Sequence, residues 1–281
     1  MGSIAWVLSR LALAIGGMAL FAAMIGVIWL DAQFEEPGVT HVPSLADELG
    51  AKRVLAIFAH PDDEQLVAAL LSRAVEGGAE VFMITATAGE AGTQMPQVAR
   101  QQELGIIRTA EVLKNGYALG LKAQEVWGMP DGGLERDVPF LALVTEIVKA
   151  FHRYEPDLVV TFWPESGASA HPDHMRMGLA AREAVRQFEG IHVYQGPRHV
   201  AYTLMPRGAM RSLGGERGAF VADNQPDPTH SMPGDTHLKQ RGWDLRHSQR
   251  DYVAHAYGAP ANVLYAFFDK EFYFVEEVGA E

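Results

Sequence analysis

Leu55-Ala56-Ile57-Phe58-Ala59-His60-Pro61-Asp62-Asp63-Glu64 is the stretch whose reading decides the fold. Five apolar residues, short enough for a buried strand, run straight into an imidazole, a proline and three acids. A second piece repeats the logic: Leu158-Val159-Val160-Thr161-Phe162 is followed, after a short loop, by His171-Pro172-Asp173-His174. Each piece therefore sits where a strand hands over to a helix. Proline suits the first helical position, where its missing N–H costs nothing, and the acids that follow lie at the positive end of the helix dipole. Residues three apart on such a turn share a face, which pairs His60 with Asp63 and His171 with His174. Two such turns facing each other converge imidazole and carboxylate groups on one point, the outline of a metal site.

Working outward, a βα alternation starts near Lys52. Val54–Ala59 and Val81–Thr85 read as continuous apolar strands of the kind found in parallel sheets covered on both faces. The helix after Pro61 carries Leu66, Leu70 and Ala74 on one stripe and ends at Gly77-Gly78. A loop at Gly89-Glu90-Ala91-Gly92 precedes a helix starting near Pro96, with Leu104, Ile107, Ala110 and Leu113 expected inward. A weaker strand is expected at Tyr117–Leu121 and another at Glu125–Trp127. The loop Met129–Gly133 then leads to a helix with Phe140, Val144, Ile147, Val148 and Phe151 at helical spacing. The helix after Pro172 runs to about Phe188, and a strand follows at His199–Leu204. Residues 206–236, rich in Gly, Pro and Asp, read as loop; a helix at Leu238–Tyr252 and a strand at Phe272–Val275 close the chain. The expected fold is α/β: a Rossmann-like, mainly parallel sheet with helices on both faces. In such sheets ligands bind beyond the carboxyl ends of the strands, where both His-Pro-Asp pieces lie.

The chain of 281 residues has a formal net charge of −12 and no cysteine. The charge argues against nucleic acid as a partner, since such proteins present a basic face. The missing thiols exclude Cys-ligated zinc fingers and Fe–S clusters, so nitrogen and oxygen must hold any metal. From Leu11 to Leu30 no residue is charged, matching the ~20 apolar residues that span a bilayer as a helix. Arg10 precedes this run and Asp31, Glu35 and Glu36 follow it, which puts the N-terminus in the cytoplasm and the remainder outside. The run is longer than a signal-peptide h-region and lacks a small-residue cleavage site, so an uncleaved single-pass anchor is expected. The domain reading is anchor 1–30, polar linker 31–50 (broken by Pro37-Gly38 and Pro43), and catalytic domain 51–281.

His60, Asp63 and His174 form a two-histidine, one-carboxylate set, the ligand type of catalytic zinc with an open position for water. The same set suits non-haem iron, although nothing in the chain signals an oxygen-activating partner. Asp62 and His171 remain beside the metal. A carboxylate there can serve as general base, and an imidazolium can stabilise an oxyanion. Glu64 reads as acid decorating a helix start.

These residues carry a family resemblance. Ala59-His60-Pro61-Asp62-Asp63-Glu64 together with His171-Pro172-Asp173-His174 resembles the paired signature of the PIG-L/LmbE zinc-dependent N-deacetylases. Lesser matches extend it over about Val54–Gln249: Arg100-x-x-Glu103-Leu104, Pro130-Asp131-Gly132, and Lys239 with His247-Ser248-Gln249. Leu113-Lys114-Asn115-Gly116 departs from the Leu-Gly that usually closes the family's helix. The resemblance implies Zn2+ held by His60, Asp63 and His174, Asp62 as base, and His171 stabilising the oxyanion or protonating the amine. It also implies substrate contacts from Arg100 and Asp131, and hydrolysis of an N-acetyl group from an N-acetylglucosamine-type glycoconjugate or lipid-linked sugar. Hydrolysis of another bond, a larger acyl amide or a phosphoester, would use the same residues. A catalytically silent carbohydrate-binding module would be expected to have lost one of the five, and all five are present.

Overall fold

A computed structural model describes residues 2–190 and 194–278. An eight-stranded sheet organises them. Its strands are β1 (Thr40–His41), β2 (Arg53–Phe58), β3 (Glu80–Thr87), β4 (Ala123–Met129), β5 (Leu158–Phe162), β6 (His199–Leu204), β7 (His230–Pro233) and β8 (Lys270–Glu277). The order across the sheet is β1-β7-β8-β6-β5-β2-β3-β4, and β8 alone runs antiparallel to its neighbours. Val54, Leu55, Ile57 and Phe58 of β2 are 0–1% exposed, and burying each such side chain contributes about 1.5–3 kcal/mol.

The helices in chain order are α1 (Gly2–Ala32), α2 (Leu45–Glu48), α3 (Ala68–Glu76), α4 (Leu104–Ala118), α5 (Phe140–Tyr154), α6 (Pro172–Gln187), α7 (Arg207–Leu213), α8 (Gly215–Asp223), α9 (Thr236–Asp244), α10 (Tyr252–Tyr257) and α11 (Ala261–Phe267). From β2 the chain steps outward through β3 to β4, whereas β5 and β6 step the other way. With right-handed crossovers that reversal puts the intervening helices on opposite faces. It also opens a crevice at the carboxyl ends of β2 and β5, and His60 and His174 stand there.

Several expectations are corrected. Tyr117–Leu121 is not a strand: α4 runs to Ala118, and the strand is Ala123–Met129. The inward face of α4 is Leu104, Arg108, Glu111, Val112, Asn115 and Gly116, while Leu113 and Ala110 are exposed. A polar face turns inward because it meets polar partners from elsewhere in the chain: the Gly89 and Thr93 carbonyls, Ser248 and Glu64. Residues 206–236 fold into α7, α8 and β7; α7 and α8 pack so closely that a Cβ on Gly218 would lie 2.2 Å from the Met210 carbonyl oxygen. The helix expected at Leu238–Tyr252 is broken after Asp244, with a 3-10 turn at His247–Gln249 before α10. Pro61 opens a 3-10 turn (Asp63–Val67) rather than an α-helix, whereas Pro172 does occupy the first turn of α6. The stretch 31–50, read as linker, carries β1 and α2, and its Phe34, Val42, Leu45 and Ala46 are buried. Residues 8–32 form a helix long and apolar enough to cross a membrane; its most apolar 18-residue stretch is not buried, and its end packs on the domain through the partly buried Leu30.

Candidate metal centre

The centre begins with a tight turn at the end of β2. Thr87 on β3 donates through its backbone N–H and its hydroxyl to the Ala59 carbonyl, at 2.9 and 3.0 Å. Asp63 Oδ2 then accepts the N–H groups of Ala59 (3.1 Å) and His60 (2.7 Å). The turn thereby fixes Asp63 against its own backbone. Its other oxygen, Oδ1, lies 3.2 Å from His174 Nε2.

His60 is held from behind. Its Nε2 lies between Asp131 Oδ1 at 3.2 Å and Asp173 Oδ2 at 3.3 Å, which turns Nδ1 toward His174 Nε2, 2.9 Å away. His174 is fixed from its own far side, with Nδ1 2.9 Å from both the Gly167 carbonyl and Ser169 Oγ. Its ring stacks on Phe162 at 4.2 Å. Gly167 is required here: its φ is +58°, and a Cβ would sit 2.8 Å from His174 Cβ. Ala168 and Ala170 also adopt positive φ, +59° and +57°, a backbone strain of about 1–3 kcal/mol per residue that functional loops tolerate.

His60 Nδ1 and Asp63 Oδ1 thus both approach His174 Nε2, at 2.9 and 3.2 Å, and donor atoms of His60, Asp131 and Asp173 lie within 4.8 Å of one another. Each histidine has its other nitrogen occupied by a carboxylate or a carbonyl, the arrangement that orients metal-binding imidazoles. The residues present fit a divalent cation with nitrogen and oxygen ligands. The nitrogens of His60, His171 and His174 also lie within 4.8 Å of one another.

The electrostatics agree with this geometry. Burial alone would lower the His60 pKa, but the Asp131 and Asp173 hydrogen bonds and the Asp63 and Asp62 charges outweigh it and push it up to about 10. Burial would raise Asp63, yet the charge and hydrogen bond of His174, with those of His60, hold it below the usual carboxylate range. Burial would raise Asp131 and Asp173 as well, but the His60 hydrogen bond and charge, together with backbone N–H donors, lower both. His171 goes the other way: burial, and then the nearby His174 and His60 charges, depress it. Its Nδ1 accepts the Asp173 N–H at 3.2 Å, so the neutral ring carries its proton on Nε2 and can donate it.

His60, Asp62, Asp63, Asp131, His171 and His174 all border one cavity of about 440 Å3. Asp62 is fixed by Gln249, whose Nε2 donates to its Oδ2. Asp131 accepts the Ala91 N–H through Oδ2 (2.9 Å) and so orients His60 from a pinned position. Arg100 is not brought in: its side chain is 74% exposed and pairs with Glu103. Arg108 borders the cavity instead, buried and donating to the carbonyls of Gly89 and Thr93 at 3.1 Å each. Gly92 makes room for it, since a Cβ there would meet the guanidinium at 2.1 Å.

Two further roles were missed from sequence. Asp173, besides contacting His60, accepts the N–H groups of Gly132 (2.8 Å) and Leu134 (3.0 Å), tying the Asp131 loop to α6. Its place between the two histidines of the motif was the available signal. Glu64 is not decoration: it is 1% exposed, pairs with the fully buried Arg246, and accepts from Asn115 Nδ2 at 2.9 Å. Asn115 stands in the Lys-Asn-Gly segment that departs from the family pattern.

Residues 55–185 match the family model described as PIG-L, GlcNAc-PI de-N-acetylase. That stretch, just under half of the chain, is PIG-L-like. Among curated relatives it is 31% identical over 178 residues to the 1D-myo-inositol 2-acetamido-2-deoxy-alpha-D-glucopyranoside deacetylase of Saccharomonospora viridis; the match covers 56% of this chain and 64% of that one, under two thirds of the relative's length. Among solved structures, the N,N'-diacetylchitobiose deacetylase of Pyrococcus horikoshii superposes with a TM-score of 0.62 at 20% identity, over 83% of this chain and 90% of that one. GalB, the 4-carboxy-2-hydroxymuconate hydratase of Pseudomonas putida KT2440, shares the fold with a TM-score of 0.59 at 14% identity, over 85% and 99% of the two chains. One fold thus hosts different reactions, and the reaction has to be argued from the site. PIG-L deacetylases are metal-dependent, in keeping with the donor set around His60.

Proposed function

We propose that this PIG-L-like domain is a zinc-dependent N-deacetylase acting on an N-acetylglucosamine-type amino sugar, tethered to a membrane by α1. One observation carries the reading: His60 Nδ1 and Asp63 Oδ1 lie 2.9 and 3.2 Å from His174 Nε2, and Asp62 and His171 border the same cavity. Zinc bound there would lower the pKa of a water and polarise an amide carbonyl.

The chain's own groups do the rest. Asp62, aimed by Gln249, takes a proton from the attacking water. His171 presents its Nε2–H to the oxygen on which negative charge develops. The amide C–N bond breaks, the nitrogen takes up a proton, and acetate and the free amino sugar leave. Asp131 and Arg108 border the same cavity and are the proposed substrate contacts; Arg100 lies too far out on the surface to serve without moving.

Acetate release from N-acetylglucosamine conjugates, measured beside phosphate release from sugar phosphates and acid release from longer N-acyl amides, tests the reaction. Acetate release that falls with chelation and returns with zinc is expected; phosphate release alone overturns the reading. Metal analysis of wild type against His174→Ala tests the ligand, and equal content in both refutes its assignment. For the anchor, α1 is proposed to leave the N-terminus in the cytoplasm and the domain outside. Reporter fusions after Glu281 that are active only outside are expected, and a cytoplasmic signal reverses the orientation.

A further inference from the structure

Gln65, Gln249 and Lys239 border the catalytic cavity, and each keeps buried polar atoms that no described residue hydrogen-bonds: both ends of the Gln65 amide, Gln249 Oε1 and Lys239 Nζ. Gln65 and Lys239 are only 3% and 1% exposed. Burying polar groups unpaired is costly and folds ordinarily avoid it, so their gathering at one cavity calls for a reason. They are also neighbours. Lys239 and Gly242 are three apart on α9 and share a face, and a Cβ on Gly242 would sit 1.8 Å from Gln65 Nε2. The Gln65 amide is therefore laid against α9 one turn from Lys239. Gln249, just past that helix, spends its Nε2 on Asp62 and leaves Oε1 unused.

Lys239 is held without being satisfied. Its Nζ lies 3.5 Å from Glu271 Oε1, and 4.8 and 5.4 Å from the ring centroids of Phe268 and Tyr265. A carboxylate and two aromatic faces fix the ammonium in place. They leave its N–H groups unpaired, because Glu271 already accepts from the N–H groups of Ala69 and Leu70 at 3.0 Å each and from the Tyr273 hydroxyl at 2.8 Å. Those two N–H groups open α3, so the positive end of a helix also offsets the Glu271 charge. Arg217 of α8, exposed and with no ion pair among the described residues, borders the same cavity. The carboxylates that border it are Asp62, Asp63 and Asp131 of the metal centre, and none of them is paired with Lys239 or Arg217.

We infer that Lys239, with the Gln65 amide beside it and Arg217 in the same cavity, forms an oxyanion subsite that takes a carboxylate or a phosphate. An ammonium can only donate, and an oxyanion accepts from an ammonium and an amide at once. In the C-terminal segment Gln249 steadies Asp62 and Ser248 binds Glu111; Lys239 has neither task, and an anion gives it one. The oxyanion is a substituent of the amino sugar or a free anion such as the acetate released. The inference rests on the deacetylase reading only for the sugar that would carry the anion.

Metal-loaded full-length protein in detergent micelles provides the test. N-acetylglucosamine is compared with its 1-phosphate, its 6-phosphate and N-acetylmuramic acid, which bears a carboxylate on its O3 substituent. A kcat/KM at least about tenfold higher for one anionic compound is expected, as for a site whose buried polar groups are unpaired without it. The compound that wins shows which carbon of the sugar faces Lys239. Lys239→Met should cut that ratio about tenfold and the exposed Arg217→Gln about threefold. A purely structural lysine would lower all four compounds in proportion and leave the ratio alone. Calorimetry with the same sugars, inorganic phosphate and acetate separates the subsite from the reaction. If no sugar is hydrolysed, yet an anionic one binds about tenfold more tightly than N-acetylglucosamine and Lys239→Met removes that margin, the deacetylase reading falls and the subsite stands. If the four sugars behave alike while phosphate or acetate binds and Lys239→Met weakens it about tenfold, the ligand is the free anion. An anion preference unmoved by Lys239→Met overturns the subsite, and so does the absence of any preference together with no Lys239-dependent binding of phosphate or acetate. If Lys239→Met does not fold, Arg217→Gln decides by the same two readings.

Discussion

Glu64→Ala removes one partner of an ion pair that has no access to water: the side chains of Glu64 and Arg246 are 1% and 0% exposed. Arg246 keeps a hydrogen bond to the Gly242 carbonyl at 2.7 Å and the charges of Asp62 and Asp63 nearby, but it loses its ion-pair contact. Burial already depresses its pKa, against the raising influence of Asp62, to about 10. Breaking a buried pair from one side costs about 3–5 kcal/mol, because the stranded charge stays desolvated; the bond from Asn115 to Glu64 is lost within that figure. For a domain of this size each kcal/mol moves Tm by about 2 °C, so thermal unfolding of metal-loaded protein should drop by about 6–10 °C. Replacing both partners with apolar residues of similar volume, Glu64→Leu with Arg246→Met, removes the stranded charge and should recover most of the loss. Glu103→Ala, which breaks the exposed pair with Arg100, is the control and should leave Tm unchanged. The segment behind Arg246 also carries Gln249 to Asp62, so kcat should fall in Glu64→Ala while metal content holds. A Tm drop below 2 °C, or a double variant as unstable as the two singles summed, refutes the reasoning.

The adjacent carboxylates should separate cleanly: Asp62→Asn keeps its metal yet loses about 10²–10⁴ in kcat, the usual worth of a positioned base, whereas Asp63→Ala loses metal. An empty Asp62→Asn beside a full Asp63→Ala, by elemental analysis, would exchange their roles. Asp173→Asn leaves all three ligands in place but loosens both His60 and the Asp131 loop. Zinc affinity should weaken about 10–100-fold, and an unchanged chelator-competition curve counts against it. In the metal-free protein His60 holds its proton up to a pKa of about 10, and a cation must displace it. Apparent zinc affinity should therefore rise with pH through the neutral range, by nearly tenfold per unit. Affinity that is flat between pH 6 and 8, in competition with a chelator of known pH dependence, shows that His60 binds without releasing a proton.

Both His-Pro-Asp turns, the parallel sheet beneath them and the apolar helix at the start of the chain were legible in the sequence, because each is a local pattern. A short, mostly apolar run rich in β-branched residues, ending at Ala59 or Phe162 before a turn, reads as a buried strand, and three-residue spacing on a turn puts His60 and Asp63 on one side. Tertiary structure alone decided which charged residues are buried. Arg108, Glu111 and Asn115 look like the solvent face of a helix until Gly89, Ser248 and Glu64 are seen to meet them. Glu64 and Arg246 are 182 residues apart. Arg100 and Arg108 are chemically equal in the sequence, and only the path of α4 puts one at the surface and the other against the cavity. Residues 206–236 escaped for the same reason: their glycines, which read as loop, let two short helices pack on each other and on the root of α1. Periodicity reports where apolar groups go. A charge can be buried only where a distant partner offsets its desolvation, and that partner is chosen by the fold.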